Sequence, residues 1–209
     1  MKVTEPVCGI HILEVPFEEI YTAVFAVRVS GGYVLIDCAT TARDVDDHIL
    51  PALRRLGFEE APIALLLTHR HGDHAGGAAR LAEHFPHMEI CSFEPLKDTP
   101  FRLLCENEII GDRLQVIPLP GHTERSVGYL DLETHTLLTG DCLQQAGVGK
   151  YTNGIRFPSL YRQSIAHIRQ LDLHGIIASH DYVPLGSTAF GEKAIDQYLN
   201  TCLAHCPKE

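Results

Sequence analysis

The sequence predicts an α+β protein in which two β-sheets are covered on their outer faces by helices. Short stretches rich in Val, Ile and Phe, typical of strands, are interspersed with stretches whose apolar residues recur at helical spacing. These strands and helices do not alternate strictly, and two sheets with outer helices fit such an order best. The 209 residues, of which 45% are hydrophobic and 21% are charged, are enough for one domain, which we predict over residues 1–209.

The first half of the chain contains a series of predicted strands and two predicted helices. The strands are expected at residues 7–15, 22–29, 33–36, 63–67 and 88–92. The first helix begins at Thr41, where Asp44 completes a capping box, and it ends at Gly57. The second helix is predicted from Ala75 to Phe85. Residues 63–67 form a continuous apolar run, which is typical of a strand buried on both faces.

The second half of the chain repeats this mixture of short strands and helices. Its strands are expected at residues 114–119, 127–132, 136–139 and 175–178. Ser159 is predicted to cap a helix, and residues 187–205 are predicted to form a final amphipathic helix. No low-complexity tract or internal repeat interrupts the sequence, which agrees with a single domain.

The charge, the apolar pattern and the cysteines restrict the environment of the protein. The net charge of −10 repels phosphate backbones, so nucleic acid is not an expected partner. The longest apolar run, Ile63 to Leu67, is too short to span a membrane, and the N-terminus does not resemble a secretory signal. The seven cysteines are scattered without a CxxC pair, which fits a reducing compartment. We therefore expect a cytoplasmic protein without a membrane partner, and the sequence leaves its oligomeric state open.

The segment that follows the buried strand at residues 63–67 carries four potential metal ligands, His69, His71, Asp73 and His74. His69 and His71 are two residues apart, so in an extended segment they point the same way. Asp73 and His74 come after the chain turns and can face a second position. One short loop can therefore supply ligands to two metal ions.

Three more side chains of the ligand type follow other predicted strands, namely His122, Asp141 and His180. In each case an apolar strand is followed by a small residue and then by one histidine or aspartate. This recurrence predicts that the three side chains join the first four in one metal centre. The remaining histidines lie in strands, helices or turns without this context, and we predict no function for them.

The ordered set of HxHxDH, PGHT, TGD and a late histidine resembles the metallo-β-lactamase superfamily, over about residues 7–185. Within that superfamily the motifs are most similar to the glyoxalase II-like group. The resemblance implies the metallo-β-lactamase fold, a four-layer αββα sandwich. It assigns a first metal ion to His69, His71 and His122. It assigns a second ion to Asp73, His74 and His180, with Asp141 bridging the two ions.

The resemblance also implies a metal and a mechanism. Five imidazoles and two carboxylates without a thiolate suit zinc, although iron or manganese is also held by such ligands, and we expect two Zn²⁺ ions. The implied activity is hydrolysis, in which a hydroxide that bridges the metals attacks an ester, thioester or lactone of a small molecule. Asp73 is expected to be catalytic, because it can take or relay the proton. Asp37 matches an aspartate that the family keeps near the site, and we expect it to orient a histidine ligand.

Three residues are expected to contact the substrate. Lys150 matches the basic residue that contacts the glutathione carboxylate in the glyoxalase II group, and Tyr151 and Tyr182 are candidates for a phenol that faces the substrate. The sequence departs from that group where Arg125 replaces a common glycine, and only about 29 residues follow His180. These departures predict a substrate pocket that differs from the pocket of glyoxalase II.

Two alternative activities are known on the same fold. One is an iron-dependent sulfur (persulfide) dioxygenase, but the complete set of ligands for a second metal favours hydrolysis. The other is a β-lactamase, whose main subclass has a cysteine at the position of Asp141, whereas Cys142 is one residue out of register. A non-catalytic binding module is disfavoured because none of the seven ligands is missing.

Overall fold

Two mixed β-sheets lie face to face at the centre of the molecule, in a computed structural model that describes residues 1–96 and 99–208. One apolar core lies between the two sheets, and a second and third lie between each sheet and the helices on its outer face. The layers are therefore helices, sheet, sheet and helices. This arrangement confirms the predicted αββα sandwich.

The first sheet contains seven strands in chain order within the described residues. They are β1 (Lys2–Val7), β2 (Ile10–Phe17), β3 (Ile20–Val29), β4 (Gly32–Ile36), β5 (Ala64–Leu67), β6 (Glu89–Ser92) and β7 (Arg102–Leu103). Strands β1 to β4 pair antiparallel, and β4 to β7 pair parallel. All four residues of β5 are buried, as its continuous apolar sequence predicts.

The second sheet contains six strands in the order β15-β14-β11-β10-β9-β8 within the described residues. They are β8 (Ile109–Ile110), β9 (Leu114–Pro118), β10 (Val127–Asp131), β11 (Thr136–Leu138), β14 (Gly175–Ile177) and β15 (Thr188–Phe190). Strands β11 and β14 are parallel, and the other neighbours are antiparallel. Strands β12 (Gly147–Val148) and β13 (Tyr151–Thr152) form a separate small hairpin.

The helices form the two outer layers. They are α1 (Ala42–Asp44), a π-helical turn (Val45–Ile49), α2 (Leu50–Arg55), α3 (Gly72–Ala75), α4 (Ala78–His84), α5 (Pro158–Ile168) and α6 (Glu192–Ala204). The capping box predicted at Thr41 and Asp44 is present. Helix α6 has 13 residues and is about 20 Å long, against roughly 30 Å for a bilayer core. Within the described residues, no helix is long and apolar enough to cross a membrane.

The helix predicted from Ala75 to Phe85 is wrong in one respect, because two glycines divide it into α3 and α4. A Cβ atom on Gly76 would lie 1.9 Å from the carbonyl oxygen of Thr40, and one on Gly77 would lie 2.2 Å from that of Cys38. The backbone following β4 therefore packs directly on this glycine pair. This close contact holds the HxHxDH loop against the end of β4.

Two predictions in the C-terminal part are also wrong in detail. Ser159 is not a cap, because α5 begins at Pro158, whose fixed φ suits the first position of a helix. The final helix does not begin at residue 187, since Thr188–Phe190 instead pairs with β14 as β15. Gly191, with φ of 79°, then separates β15 from α6.

The strand order brings distant parts of the sequence to one edge of the sandwich. The carboxyl ends of the parallel strands β4, β5 and β6 lie side by side in the first sheet, and those of β11 and β14 do so in the second. Loops after such strand ends are the usual position of ligand sites in sheets of this kind. All seven predicted metal ligands lie in loops or short helices at this edge.

Candidate metal centre

The seven side chains that the sequence selects as metal ligands meet at this edge. Their ligand atoms form three groups, and within each group all atoms lie within 4.8 Å of one another. The groups are His69, His71 and His122; His69, His74 and Asp141; and Asp73, His74 and His180. The structure therefore brings together every residue of the predicted ligand set.

The first group has the spacing of a tetrahedral metal site. The Nδ1 atom of His71 lies 3.0 Å from His69 Nε2 and 2.8 Å from His122 Nε2. Two nitrogen ligands at ~2.0–2.1 Å from a tetrahedral ion are roughly 3.3 Å apart, so these separations are close to those of a bound ion. His71 differs from the other histidines in presenting Nδ1 instead of Nε2 to the site.

The carboxylate of Asp141 stands between the two halves of the centre. Its Oδ1 atom is 3.4 Å from His74 Nε2 and 3.2 Å from His180 Nε2, whereas its Oδ2 atom is 3.7 Å from His122 Nε2. The Oδ2 atom of Asp73 completes the second half, at 3.4 Å from His74 Nε2 and 3.5 Å from His180 Nε2. One oxygen of Asp141 thus faces each half of the centre.

Two buried polar atoms of the centre have no hydrogen-bond partner among the described residues, His74 Nε2 and Asp141 Oδ1. Such atoms are costly to bury, because they lose their hydrogen bonds to water without replacement. A divalent cation satisfies both atoms at once, since each presents a lone pair to it. The donor set and these two atoms therefore fit a metal ion.

Asp37 orients two of the histidines. Its Oδ2 atom accepts hydrogen bonds from His74 Nδ1 at 2.7 Å and from the Thr68 hydroxyl at 2.8 Å, and its Oδ1 atom accepts from the Thr68 backbone N–H. Because the hydroxyl of Thr68 donates to Asp37, it accepts from His69 Nδ1, which lies 3.0 Å away. The Nε2 atoms of His69 and His74 are thereby left with lone pairs that face the centre.

Backbone carbonyls orient the other two histidines that present Nε2. The Nδ1 atom of His180 lies 2.6 Å from the carbonyl oxygen of Tyr21, and that of His122 lies 2.9 Å from the carbonyl oxygen of Gly154. The side chain of Gln144 is also within 3.0 Å of His122 Nδ1, and it accepts a hydrogen bond from the Gly154 backbone N–H. These contacts hold the Nδ1 edge of each ring, so that Nε2 faces the centre.

The electrostatics of the centre couple the histidines to the carboxylates. Burial opposes a charge on His74, but Asp141 and Asp37 outweigh burial and raise the pKa of His74 well above its usual value. The proton that this pKa favours on Nε2 is the one that a bound cation would replace, since only the neutral ring presents a lone pair there. Burial also opposes a charge on His180, but Asp141 and Asp73 outweigh it and raise the pKa of His180 to about 9. Burial lowers the pKa of His69 instead. Burial acts to raise the pKa of Asp141, but His180 and His74 outweigh it and hold that pKa well below its usual range.

A cavity of about 260 Å³ opens over the centre. Of the residues predicted to contact substrate, Tyr151 and Tyr182 line this cavity, whereas the ammonium group of Lys150 is paired with Glu18 at 2.6 Å. Tyr182 is buried, and burial together with Asp141 raises the pKa of its phenol, so the phenol keeps its proton.

Sequence reasoning missed several residues that shape the centre. Arg156 lines the cavity, Tyr21 and Gly154 hold histidines through backbone carbonyls, and Gln144 contacts His122. No local pattern marks these positions, because they reach the centre only through the tertiary fold. Thr68 is the exception, because its position directly before the histidine motif indicates that it lies near the centre.

The sequence and the fold both match known proteins. Residues 18–92 match the metallo-beta-lactamase superfamily. The hydroxyacylglutathione hydrolase of Yersinia enterocolitica is 34% identical over 126 residues, which are 58% of this chain and 49% of that protein. The metallo-beta-lactamase from Hirschia baltica superimposes with a TM-score of 0.73 at 18% identity, over 100% of this chain and 99% of its own. TTHA1623 in a di-iron-bound form superimposes with a TM-score of 0.69 at 23% identity, over 90% of this chain and 97% of its own.

These matches agree with the family resemblance of the motifs. The match to the superfamily lies in residues 18–92, and the whole chain has the metallo-β-lactamase fold. Its curated relatives include hydroxyacylglutathione hydrolases, which are hydrolases of the same superfamily. The chain spans about half the length of the curated relatives that it matches, with 49% and 47% of two of these proteins covered.

Proposed function

We propose that this protein is a dinuclear metallohydrolase that cleaves an ester, thioester or lactone of a small molecule. The observation that carries this proposal is the position of Asp141, whose two carboxylate oxygens face two separate groups of histidines. Hydrolysis of a thioester is the preferred form, because most of the similar curated proteins named by function are hydroxyacylglutathione hydrolases, such as those of Yersinia enterocolitica and Xanthomonas campestris.

The donor set supports two ions. His69, His71 and His122 would hold one ion, Asp73, His74 and His180 would hold the other, and Asp141 would contact both. When bound, such ions supply an activated water molecule and positive charge that stabilises an oxyanion. Zinc is our choice on the donor chemistry, and iron is the second candidate, because the fold neighbour TTHA1623 is described in a di-iron-bound form.

The protein side chains have two further tasks in the proposed reaction. Asp73 is 19% exposed in its side chain, lines the cavity and stays ionised, because His180 and His74 lower its pKa against the effect of burial. Its ionised carboxylate faces the cavity, where it can accept a hydrogen bond from the attacking water and relay the proton. The phenol of Tyr182 keeps its proton, and it lines the same cavity as a hydrogen-bond donor to the substrate.

Metal dependence and the cleaved bond are tested together. The purified protein is assayed on thioesters, esters, lactones, phosphodiesters and nitrocefin, before and after chelation and after zinc or iron is added back. We expect thioester or ester hydrolysis that chelation removes and metal restores. Asp73→Ala should reduce turnover to near background, with Asp46→Ala as a matched surface control. Full activity of Asp73→Ala at normal metal content would exclude the proposed role of Asp73.

The same assay separates the alternatives. Oxygen consumption with a persulfide substrate, one iron per chain and no hydrolysis would replace the proposal with a dioxygenase. Cleavage of nitrocefin in preference to every thioester would replace it with a β-lactamase.

A further inference from the structure

A second cavity, of about 310 Å³, adjoins the cavity over the metal centre. The two cavities share His71 and Arg156 in their linings. At ~30 Å³ per water molecule, the second cavity has the volume of roughly ten waters, which is enough for a charged group and the atoms that carry it. A substrate whose scissile bond lies at the metal centre can therefore extend past His71 into this space.

Three arginines, Arg70, Arg125 and Arg156, line the second cavity. Arg70 is neutralised by Glu94, because its Nε atom lies 3.2 Å from Glu94 Oε2 and its backbone N–H donates to Oε1 of the same carboxylate. Within the described part of the chain, neither Arg125 nor Arg156 forms an ion pair, and Glu124, the other acidic residue of the lining, is paired with neither. Three arginines thus face two glutamates here, in a chain whose net charge is −10.

The backbone holds both unpaired arginines beside the loop of His122. The N–H of Arg156 donates to the carbonyl oxygen of Gly121 at 3.0 Å, and Gly121 directly precedes His122. The N–H of Arg125 donates to the Thr123 hydroxyl at 3.3 Å, in the same loop. The backbone of each arginine is therefore held beside the metal centre, and the exposed side chains line the cavity.

We propose that Arg125 and Arg156 bind an anionic group of the substrate, a carboxylate or a phosphate, in this second cavity. A guanidinium group presents a planar fork of N–H donors that matches two oxygens of such an anion. The proposal rests on the proposed function, since it describes another part of the same substrate. The lining of this cavity does not include Lys150, the residue that the sequence predicts to contact the substrate. The ammonium group of Lys150 is already paired with Glu18.

Anion binding is tested first without turnover, by isothermal titration calorimetry of the purified protein with inorganic phosphate and with malonate. The Arg125→Ala/Arg156→Ala variant, at equal metal content, should bind them about 10-fold or more weakly than the wild type. The control is Arg43→Ala, which removes an arginine that is 91% exposed and lies on α1, and it should bind as the wild type does. Equal affinities of the wild type and the double variant overturn the proposal.

Kinetics then identify the anion. Matched thioesters ending in a carboxylate, a phosphate or an uncharged amide are compared by kcat/KM. The wild type should prefer one of the charged forms, and that preference should fall about 10- to 100-fold in the double variant and be partly restored by lysine at both positions. A preference that survives in the double variant overturns the proposal. Arginine-dependent anion binding without hydrolysis of any substrate would instead contradict the proposed function and leave the anion site standing.

Discussion

Replacing Asp37 with asparagine tests whether this buried carboxylate sets the metal affinity. Asp37 is fully buried and accepts three hydrogen bonds, from His74 Nδ1 and from two groups of Thr68. An amide of the same shape cannot accept all three, because its NH₂ group then faces another donor. The ring of His74 loses its fixed orientation, and through Thr68 so does the ring of His69. Loss of such a partner typically weakens metal binding 10- to 100-fold, or about 1.4–2.7 kcal/mol.

The assay is competition for zinc between the protein and a chromophoric chelator, with circular dichroism as the check on folding. The matched control is Asp46→Asn, because Asp46 also accepts from a histidine, His84, but its side chain is 38% exposed and lies away from the centre. We expect Asp37→Asn to bind zinc at least about 10-fold more weakly and Asp46→Asn to bind it normally. Unchanged affinity in a folded Asp37→Asn protein would refute the orienting role.

Three further substitutions test the fold and the cavity. Arg113→Ala should destabilise the protein by about 3–5 kcal/mol in urea unfolding, because it leaves the fully buried Asp131 unpaired. Burial opposes the charge of Asp131, but Arg113 lowers the pKa of Asp131 in the folded state. The stabilisation from this pair is therefore present above the unfolded pKa of about 3.9 and is lost as the pH falls below that value. An unfolding free energy at pH 7 that the substitution leaves unchanged would contradict the role of the pair. Gly76→Ala should cost about 1–3 kcal/mol of unfolding free energy, since its Cβ would meet the carbonyl of Thr40, and a neutral result in thermal unfolding would show that the contact relaxes. Tyr182→Phe should lower kcat/KM for the thioester roughly 3- to 10-fold at unchanged metal content, whereas equal kinetics would show that the phenol does not contact the substrate.

The metal ligands could be predicted from the sequence because each has a local signal. Every one follows an apolar strand, and the strand order places those strand ends at one edge. The residues that contact the ligands and line the cavity have no such local signal. Tyr21 acts through its backbone carbonyl, which any residue type supplies, and Arg156 reaches the cavity from a loop whose course depends on packing against Gly121.

The errors in secondary structure have a similar origin. The apolar spacing over residues 187–205 fits a helix, but pairing of Thr188–Phe190 with the free edge of β14 is a tertiary contact that the spacing does not reveal. The glycine pair at Gly76 and Gly77 was readable as a weak point in a helix, but its reason, the close approach of the backbone after β4, appears only in the fold. Local chemistry was therefore predictable, and long-range contacts were not.

The most direct test of the account is anomalous diffraction from crystals of the protein purified without chelator, recorded at the zinc and iron absorption edges. A dinuclear centre gives two peaks at full metal content. One should lie among His69, His71 and His122 and the other among Asp73, His74 and His180, with Asp141 between them. A single peak in the first group would contradict the dinuclear centre, and no peak at either edge would contradict the metal-dependent function itself.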